Sequence, residues 1–216
     1  MGYIKQVCWP DVFVVLDNVQ LEKQSWQTRN RIKGPNGPMF LTVPTLTKGK
    51  LEQKICEARI NNASDWRRKH TGTFVANYRK APHFEEIMAA VRPLLEREWE
   101  MLLDFNLAVL RALCALMGFK PNLHFASEIE APNEGRNEYL INVCKHFGAE
   151  RYVSNDGSAA YLEPEKFARS GVTLEFMRYR HPEYAQLFGD FVSHLSVLDV
   201  LFNMGPKAAA ELIFQG

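Results

Sequence analysis

Three cations fall within five residues: Arg29, Arg31 and Lys33, alternating with Asn30 and Ile32 just ahead of Gly34-Pro35-Asn36-Gly37. Alternation at a period of two puts all three on one face of a strand. Like charges in such a row repel one another unless an anion or acids answer them. The arginine fork binds phosphate or carboxylate bidentately, so the row is a candidate clamp for such a group. A solvated hairpin with alternating charge is the competing reading.

Two further places could carry chemistry. The stretch Ser154-Asn155-Asp156-Gly157-Ser158-Ala159-Ala160-Tyr161 is small and polar, and it follows an expected strand. Backbone N–H groups in such a loop can cradle phosphate. Its one glycine matches neither the P-loop nor the dinucleotide fingerprint, and a plain connecting loop fits equally. The stretch Tyr179-Arg180-His181-Pro182-Glu183-Tyr184 follows the last expected strand. His181 there could give or take a proton near neutral pH, or be an ordinary surface histidine. Asp199 and Asn203 lie four residues apart, on one helix face; they could face a cleft or merely end a helix. No histidine pair has metal-ligand spacing, so no metal site is expected. A G-x-S-x-G elbow and a cysteine-nucleophile signature are both missing from the sequence.

These residues need elements to hold them. A short helix should end at Trp9-Pro10. The apolar, β-branched run from Asp11 to Asp17 reads as a strand covered on both faces. Residues 18–28 read as irregular, followed by a hairpin whose turn chemistry comes from Asn36-Gly37. Residues 45–51 form a loop, and residues 54–60 a short edge strand. Ser64 caps a helix to about Tyr78, Pro82 opens a second that Pro93 kinks or interrupts, and a buried third runs over 98–117 to Gly118. Strands at 123–126, 151–154 and 172–177 then alternate with helices at 138–147 and 164–170. Ser196 caps a helix through Phe202, and Pro206 starts the last. Such alternation implies an α/β fold: a mostly parallel, Rossmann-like sheet with helices on both faces. To this it adds a hairpin excursion and a helical insertion over about 62–118, in one domain of 216 residues. Ligands of such sheets bind beyond the carboxyl ends of the strands, where all three candidate places fall.

Composition narrows the class. The chain has 26 basic and 25 acidic side chains, a formal charge of +1, and 46% hydrophobic residues. These are globular averages, and the balance argues against a surface coated in basic charge for nucleic acid. No apolar run approaches the roughly 18 residues of a membrane span, and no signal peptide is visible. Four cysteines, far apart and without C-x-x-C spacing, read as reduced thiols of a cytoplasmic protein.

Several segments together resemble the WbqC-like protein family. They are Asp11 through Gln20; Arg29-Asn30-Arg31-Ile32-Lys33 with Asn36-Gly37 and Leu41-Thr42-Val43-Pro44; Asn77-Tyr78-Arg79-Lys80-Ala81-Pro82; Leu140-Ile141 with Cys144 through Ala149 and Tyr152-Val153-Ser154; Tyr179, His181-Pro182 and Tyr184; and Leu195 through Pro206. The resemblance covers nearly the whole chain in order. It implies a bacterial protein of surface-polysaccharide, O-antigen-type gene clusters, without an assigned reaction. Members usually carry an apolar strand, a His-Gln-Pro segment and a Pro-Trp before the Gly-Tyr matched by Gly2-Tyr3, so Met1 is expected to be a misplaced start or a truncation. Asn155 and Ser158 stand where glycines are commoner, which weakens a phosphate-cradling role for that loop. The layout is also similar to nucleotidylyltransferases and pantothenate-synthetase-like ligases, a likeness of fold alone.

The resulting expectation is an enzyme that transfers an acyl, aminoacyl or nucleotidyl group on a nucleotide-linked sugar or other phosphorylated small molecule. Arg29, Arg31 and Lys33 hold the phosphates, Asn30 and Gln20 orient polar groups, Asp17 binds a sugar hydroxyl or amine, and His181 moves protons. Ser154, Gly157, Tyr161, Tyr179, Asp199 and Asn203 complete the candidate contacts. The sequence names no cofactor and no oligomeric state. The alternative is a non-catalytic nucleotide- or sugar-binding or regulatory protein with a degenerate site. Nucleic-acid binding through Arg29–Lys33 and Arg67–Lys69 is the reading that the balanced charge disfavours.

Overall fold

The computed structural model describes residues 1–22, 24–47, 49 and 52–216. The order of elements is helix α1 (Gly2–Cys8), strand β1 (Phe13–Val15), hairpin strands β2 (Arg29–Gly34) and β3 (Gly37–Thr42), and helices α2 (Trp66–Tyr78), α3 (Phe84–Glu96) and α4 (Leu102–Leu116). Strand β4 (Leu123–Phe125), helix α5 (Arg136–His146), strand β5 (Arg151–Ser154), helix α6 (Pro164–Arg169), strand β6 (Thr173–Phe176) and helix α7 (Val197–Gln215) follow. The chain divides into two compact units: residues 1, 18–120 and 181–216 in the first, residues 2–17 and 121–180 in the second.

The second unit is α/β. Strand β1 pairs with β4 and β5 with β6, both in parallel. The β5–α6–β6 segment is the strand–helix–strand crossover that the alternating sequence foretold. The strands are only three or four residues long, and among the described residues each ladder is two-stranded. A continuous Rossmann-like sheet, as expected from the alternation, is therefore not shown. Side chains rather than a shared ladder join the pairs. From α5, Leu140, Ile141 and Cys144 pack with Phe167, Val172 and Leu174, while Tyr139 and Val143 pack with Val14 and Ala126. Leu16 contributes to both clusters.

The first unit holds the hairpin, α2–α4 and α7. The hairpin closes as expected, with Gly34 opposite Gly37 across Pro35-Asn36. Gly37 takes φ 98°, a left-handed conformation that favours glycine. The edge strand expected over 54–60 is instead a 3₁₀ turn at Ile55–Glu57, flanked by isolated bridges at Lys54, Arg59 and Ile60. Local bonds win there. The Lys54 N–H donates to the Glu57 carboxylate at 3.1 Å, and the Gln53 amide donates to the Glu57 carbonyl at 2.9 Å, offering the backbone an alternative to a ladder. Of the loop expected over 45–51, positions 48, 50 and 51 lie outside the described residues, as does position 23 of the irregular stretch before the hairpin. Asp65 rather than Ser64 occupies the residue before α2, and α3 continues through Pro93 to Glu96.

Aromatic packing organises this unit around Phe202 of α7. Its ring stacks on Tyr78 at 4.7 Å and lies 5.7 Å from Phe84 and 5.9 Å from Phe74. Helix α7 begins at Ser196, whose hydroxyl accepts from the Leu198 N–H at 3.3 Å. It breaks at Gly205, which has φ 78° and ψ 169°, just before Pro206. A Cβ at Gly205 would sit 2.5 Å from the His83 ring, so the break needs glycine for space as well as for conformation.

One buried carboxylate ties these pieces together. Asp199 of α7 is fully buried. The Tyr78 hydroxyl donates to its Oδ2 at 2.5 Å, and the Tyr184 hydroxyl to its Oδ1 at 2.9 Å. The Tyr78 oxygen in turn accepts the Lys33 N–H of the hairpin at 2.9 Å. Asn203 closes the far side, donating to the Asp199 carbonyl at 2.8 Å and to Oδ1 at 3.3 Å. Burial raises the Asp199 carboxyl above its usual range, against the opposing pull of Tyr78, Tyr184, Lys33 and Asn203. Burial and the adjacent carboxylate also push the Tyr78 phenol far up, so it stays a donor. Tyr78→Phe removes a donor from a buried carboxylate and an acceptor from a buried N–H. The expected loss is about 2–4 kcal/mol, read as a lower urea midpoint. Tyr184→Phe, which removes one bond to the carboxylate, should cost less in the same titration.

Candidate functional site

The cation row forms as expected, and backbone carbonyls, together with the Asp199 carboxyl near Lys33, answer much of its charge. The Lys33 ammonium donates to the carbonyls of Asp190 at 2.6 Å and Gly189 at 3.3 Å, and the residue is 2% exposed. Arg31 Nη2 donates to the His194 carbonyl at 3.0 Å. The Arg31 carbonyl accepts the Ser196 N–H at 2.7 Å. The segment 189–196 is thus fastened along the cationic face of β2. Arg29 lies at the open end, its guanidinium 4.3 Å from the Phe40 ring centre and 3.4 Å from the Gln24 amide oxygen. Among the described residues, Arg31 Nε is buried and has no hydrogen-bond partner.

The same fastening brings His181 into range. The His181 and His194 rings lie 5.1 Å apart, and Phe191 flanks His181 at 6.3 Å. Burial holds the His181 imidazole down to about 4, helped by the positive amino terminus and His194 and opposed by a bond at Pro182. A neutral imidazole at pH 7 is a proton acceptor. His194 takes φ 58°, a left-handed conformation costly outside glycine, held by Arg31 from one side and by a 2.8 Å contact of its ring with the Ser193 hydroxyl. Within the first unit, Arg31 is therefore linked through His194 to His181, while Arg29 stands two residues along the strand, against Phe40 and Gln24.

The other expected residues have different surroundings. Asp199 and Asn203 do share a helix face, but in the buried tyrosine network, with Asn203 Oδ1 also accepting the Leu187 N–H at 3.3 Å. Asn30 is exposed and its Oδ1 accepts the Arg31 N–H at 2.8 Å. Gln20 is exposed at the bridge to Lys54. In the second unit, Asp17 is 2% exposed and accepts from the Ser127 N–H at 2.9 Å and the Ser127 hydroxyl at 2.6 Å. Ser154 and Ser158 hydroxyls meet at 2.6 Å, and Ser158 donates to the Asn155 carbonyl at 2.7 Å. Gly157 is exposed beside them. Tyr161 is exposed, with the Arg136 guanidinium 4.4 Å over its ring. Tyr179 packs against Gly2 and Lys5, and burial pushes its phenol up to about 12.

Sequence reasoning assigned no role to Trp26, Phe40 or His194. A signal for the aromatics was present. Phe40 sits opposite Arg31 in the ladder, so pairing the hairpin through its turn puts it on the cationic face. Trp26 and His194 depend on a turn and a fastened segment whose paths no periodicity encodes. A hollow of about 530 Å³ opens between the hairpin turn and α2, and another of about 590 Å³ lies beside His83, Gly205 and Lys207. None of the expected site residues lines either. Among the described residues, no group of three His, Cys, Asp or Glu is placed to hold a metal ion, and no helix is long and apolar enough to cross a membrane.

Comparison with known proteins gives the lineage. The sequence model of the WbqC-like protein family matches residues 1–211. The uncharacterized protein Rv1507c of Mycobacterium tuberculosis is 34% identical over 209 residues, 96% of this chain and 90% of the relative. No solved structure matches the chain.

The depressed His181 has a thermodynamic consequence. Its unfolded form binds a proton below about 6.5, whereas its folded form resists protonation until about 4. Its stabilising share is thus complete above pH 6.5 and is lost as pH falls through that window. His70, which burial also lowers, acts in the same direction. In melting curves collected from pH 7 to 4, His181→Gln should flatten the decline in stability. An unchanged slope would show that His181 is solvated.

Proposed function

Because the chain belongs to the WbqC-like protein family, we propose that it is an enzyme of bacterial surface-polysaccharide biosynthesis. In this reading it transfers an acyl, aminoacyl or nucleotidyl group on a nucleotide-linked sugar. The observation that carries the reading is the link from Arg31 through His194 to a neutral His181, with Arg29 two residues along the same strand. Arg31 holds the His194 carbonyl, and the His194 ring lies 5.1 Å from that of His181. Guanidinium groups beside a proton acceptor suit transfer between phosphate-bearing partners.

For acyl transfer the roles are simple. Arg29 and Arg31 neutralise the phosphates of the sugar nucleotide. The sugar amine or hydroxyl attacks the activated acyl carbon, the new C–N or C–O bond forms, and the bond to the carrier breaks. His181 takes the proton lost by the nucleophile, and the carrier departs with the bonding electron pair. Lys33, sealed against Gly189 and Asp190, fixes the segment that carries His194. The roles read for Asp17, Ser154, Gly157, Tyr161 and Tyr179 belong to the second unit, and this mechanism does not depend on them. The two parallel strand pairs and the β5–α6–β6 crossover support a Rossmann-like ancestry for that unit, which remains part of the proposal.

Turnover is the test. An amino-sugar nucleotide is incubated with an activated acyl donor, and the acylated product is followed by mass. Arg29→Ala should raise KM about tenfold or more, as expected for loss of a charge-assisted contact, with an unchanged melting curve. His181→Gln should lower kcat and remove the acidic limb of the pH–rate profile. Tight sugar-nucleotide binding without turnover, across acyl, aminoacyl and nucleotidyl donors, would instead support the non-catalytic binding protein.

A further inference from the structure

We propose that Trp26 and Phe40, with Arg29 and Arg31, form a stacking platform for the base and diphosphate of a nucleoside diphosphate. This inference rests on the reading of the arginines as phosphate contacts and adds the part of the ligand recognised by the aromatic rings.

Two large aromatic side chains stand in solvent beside each other. Trp26 is 64% exposed and Phe40 is 46% exposed, with ring centres 6.2 Å apart and planes tilted by 40°. Each carries its own cation. Arg29 lies 4.3 Å from the centre of Phe40, and Arg31 lies 5.9 Å from that of Trp26. Interleaved rings and guanidinium planes of this kind stack a heterocyclic base while keeping positive charge near its phosphates.

The platform is held in place rather than displayed on a loose loop. Trp26 belongs to a turn in which the Thr28 and Arg29 N–H groups both donate to the Ser25 carbonyl, at 3.1 and 3.2 Å, and the Thr28 hydroxyl donates to it at 3.0 Å. The Val43 N–H ties the turn to the end of the hairpin by donating to the Thr28 carbonyl at 2.8 Å. Phe40 is fixed by the ladder opposite Arg31, and Arg31 by its bond to His194. Groups already ordered lose little freedom when they bind.

Charge selects the occupant. Two arginines match the two phosphates of a nucleoside diphosphate. A long polyanion would need a basic surface extending well beyond them, and the chain as a whole carries only +1.

The test is calorimetric titration of the full chain with UDP, ADP, pyrophosphate and uridine, each alone. UDP or ADP should bind at least about tenfold tighter than pyrophosphate, since stacking one base adds that much. Trp26→Ala should bring nucleotide affinity down to the pyrophosphate level, Trp26→Phe should keep most of it, and neither should move the melting curve of so exposed a residue. Nucleotide should quench the wild-type tryptophan emission but not that of Trp26→Phe. If nucleotide and pyrophosphate bind equally, or Trp26→Ala changes nothing while Arg29→Ala weakens both, the stacking proposal is overturned and the phosphate reading stands. If pyrophosphate and nucleotides alike fail to bind, both fall. Tighter binding of a single-stranded oligonucleotide, lost steeply with salt, would overturn the proposal in favour of nucleic acid.

Discussion

Burial of the Asp199 carboxylate is the constraint on which the first unit turns. A carboxylate removed from water costs several kcal/mol unless donors replace its solvent, and here the donors come from distant parts of the chain. Tyr78 ends α2, Tyr184 lies in the segment ahead of α7, and Asn203 is one turn further along α7. Tyr78 also receives the Lys33 N–H. Its single oxygen thereby couples the carboxylate to the hairpin. Satisfying one buried charge fixes the positions of four elements at once, and the aromatic cluster around Phe202 fills the space between them.

The cation row follows from the same frame. Arg29, Arg31 and Lys33 on one face would be unfavourable in a bare hairpin. They are tolerated because Tyr184 and α7 hold the segment between them close enough to offer the carbonyls of residues 189, 190 and 194. Carbonyl oxygens carry partial charge, so they quench the row only in part. The guanidinium groups keep an unspent attraction for anions at the end where the segment stops.

Much of this was readable from sequence, for definite reasons. The hairpin followed from alternation and its Gly-Pro-Asn-Gly turn, and α3 and α4 from apolar spacing with Gly118 as punctuation, whereas the two helices expected through Phe202 and from Pro206 form one element, α7, broken at Gly205. The parallel pairing of β5 with β6 followed from strand–helix–strand order. The extent of the sheet did not, because ladder length depends on which backbones meet and not on local pattern. The strand expected at 54–60 failed because the Gln53 and Glu57 side chains bind nearby backbone, a competition invisible to hydrophobic period. Asp199 and Asn203 were correctly placed on one face, yet only the structure shows that face turned toward Tyr78 and Tyr184. Arg31 and His181 lie 150 positions apart in the chain. Nothing local could announce that His194 would link them.

The hairpin's single face runs from a sealed end at Lys33 to an open end at Arg29 and Phe40. Anchoring is tightest at the Lys33 rung and ends at the Arg31–Phe40 rung, and in the proposed reading recognition begins at that shared rung and extends to Arg29. Substitutions at the open rungs leave the Lys33–Tyr78–Asp199 chain of bonds untouched, while those at the sealed rungs disturb the whole unit. Descendants of one ancestor can then drift apart in what they grip while sharing the same scaffold. A protein engineer could likewise retarget the open rungs with few changes and little risk to folding.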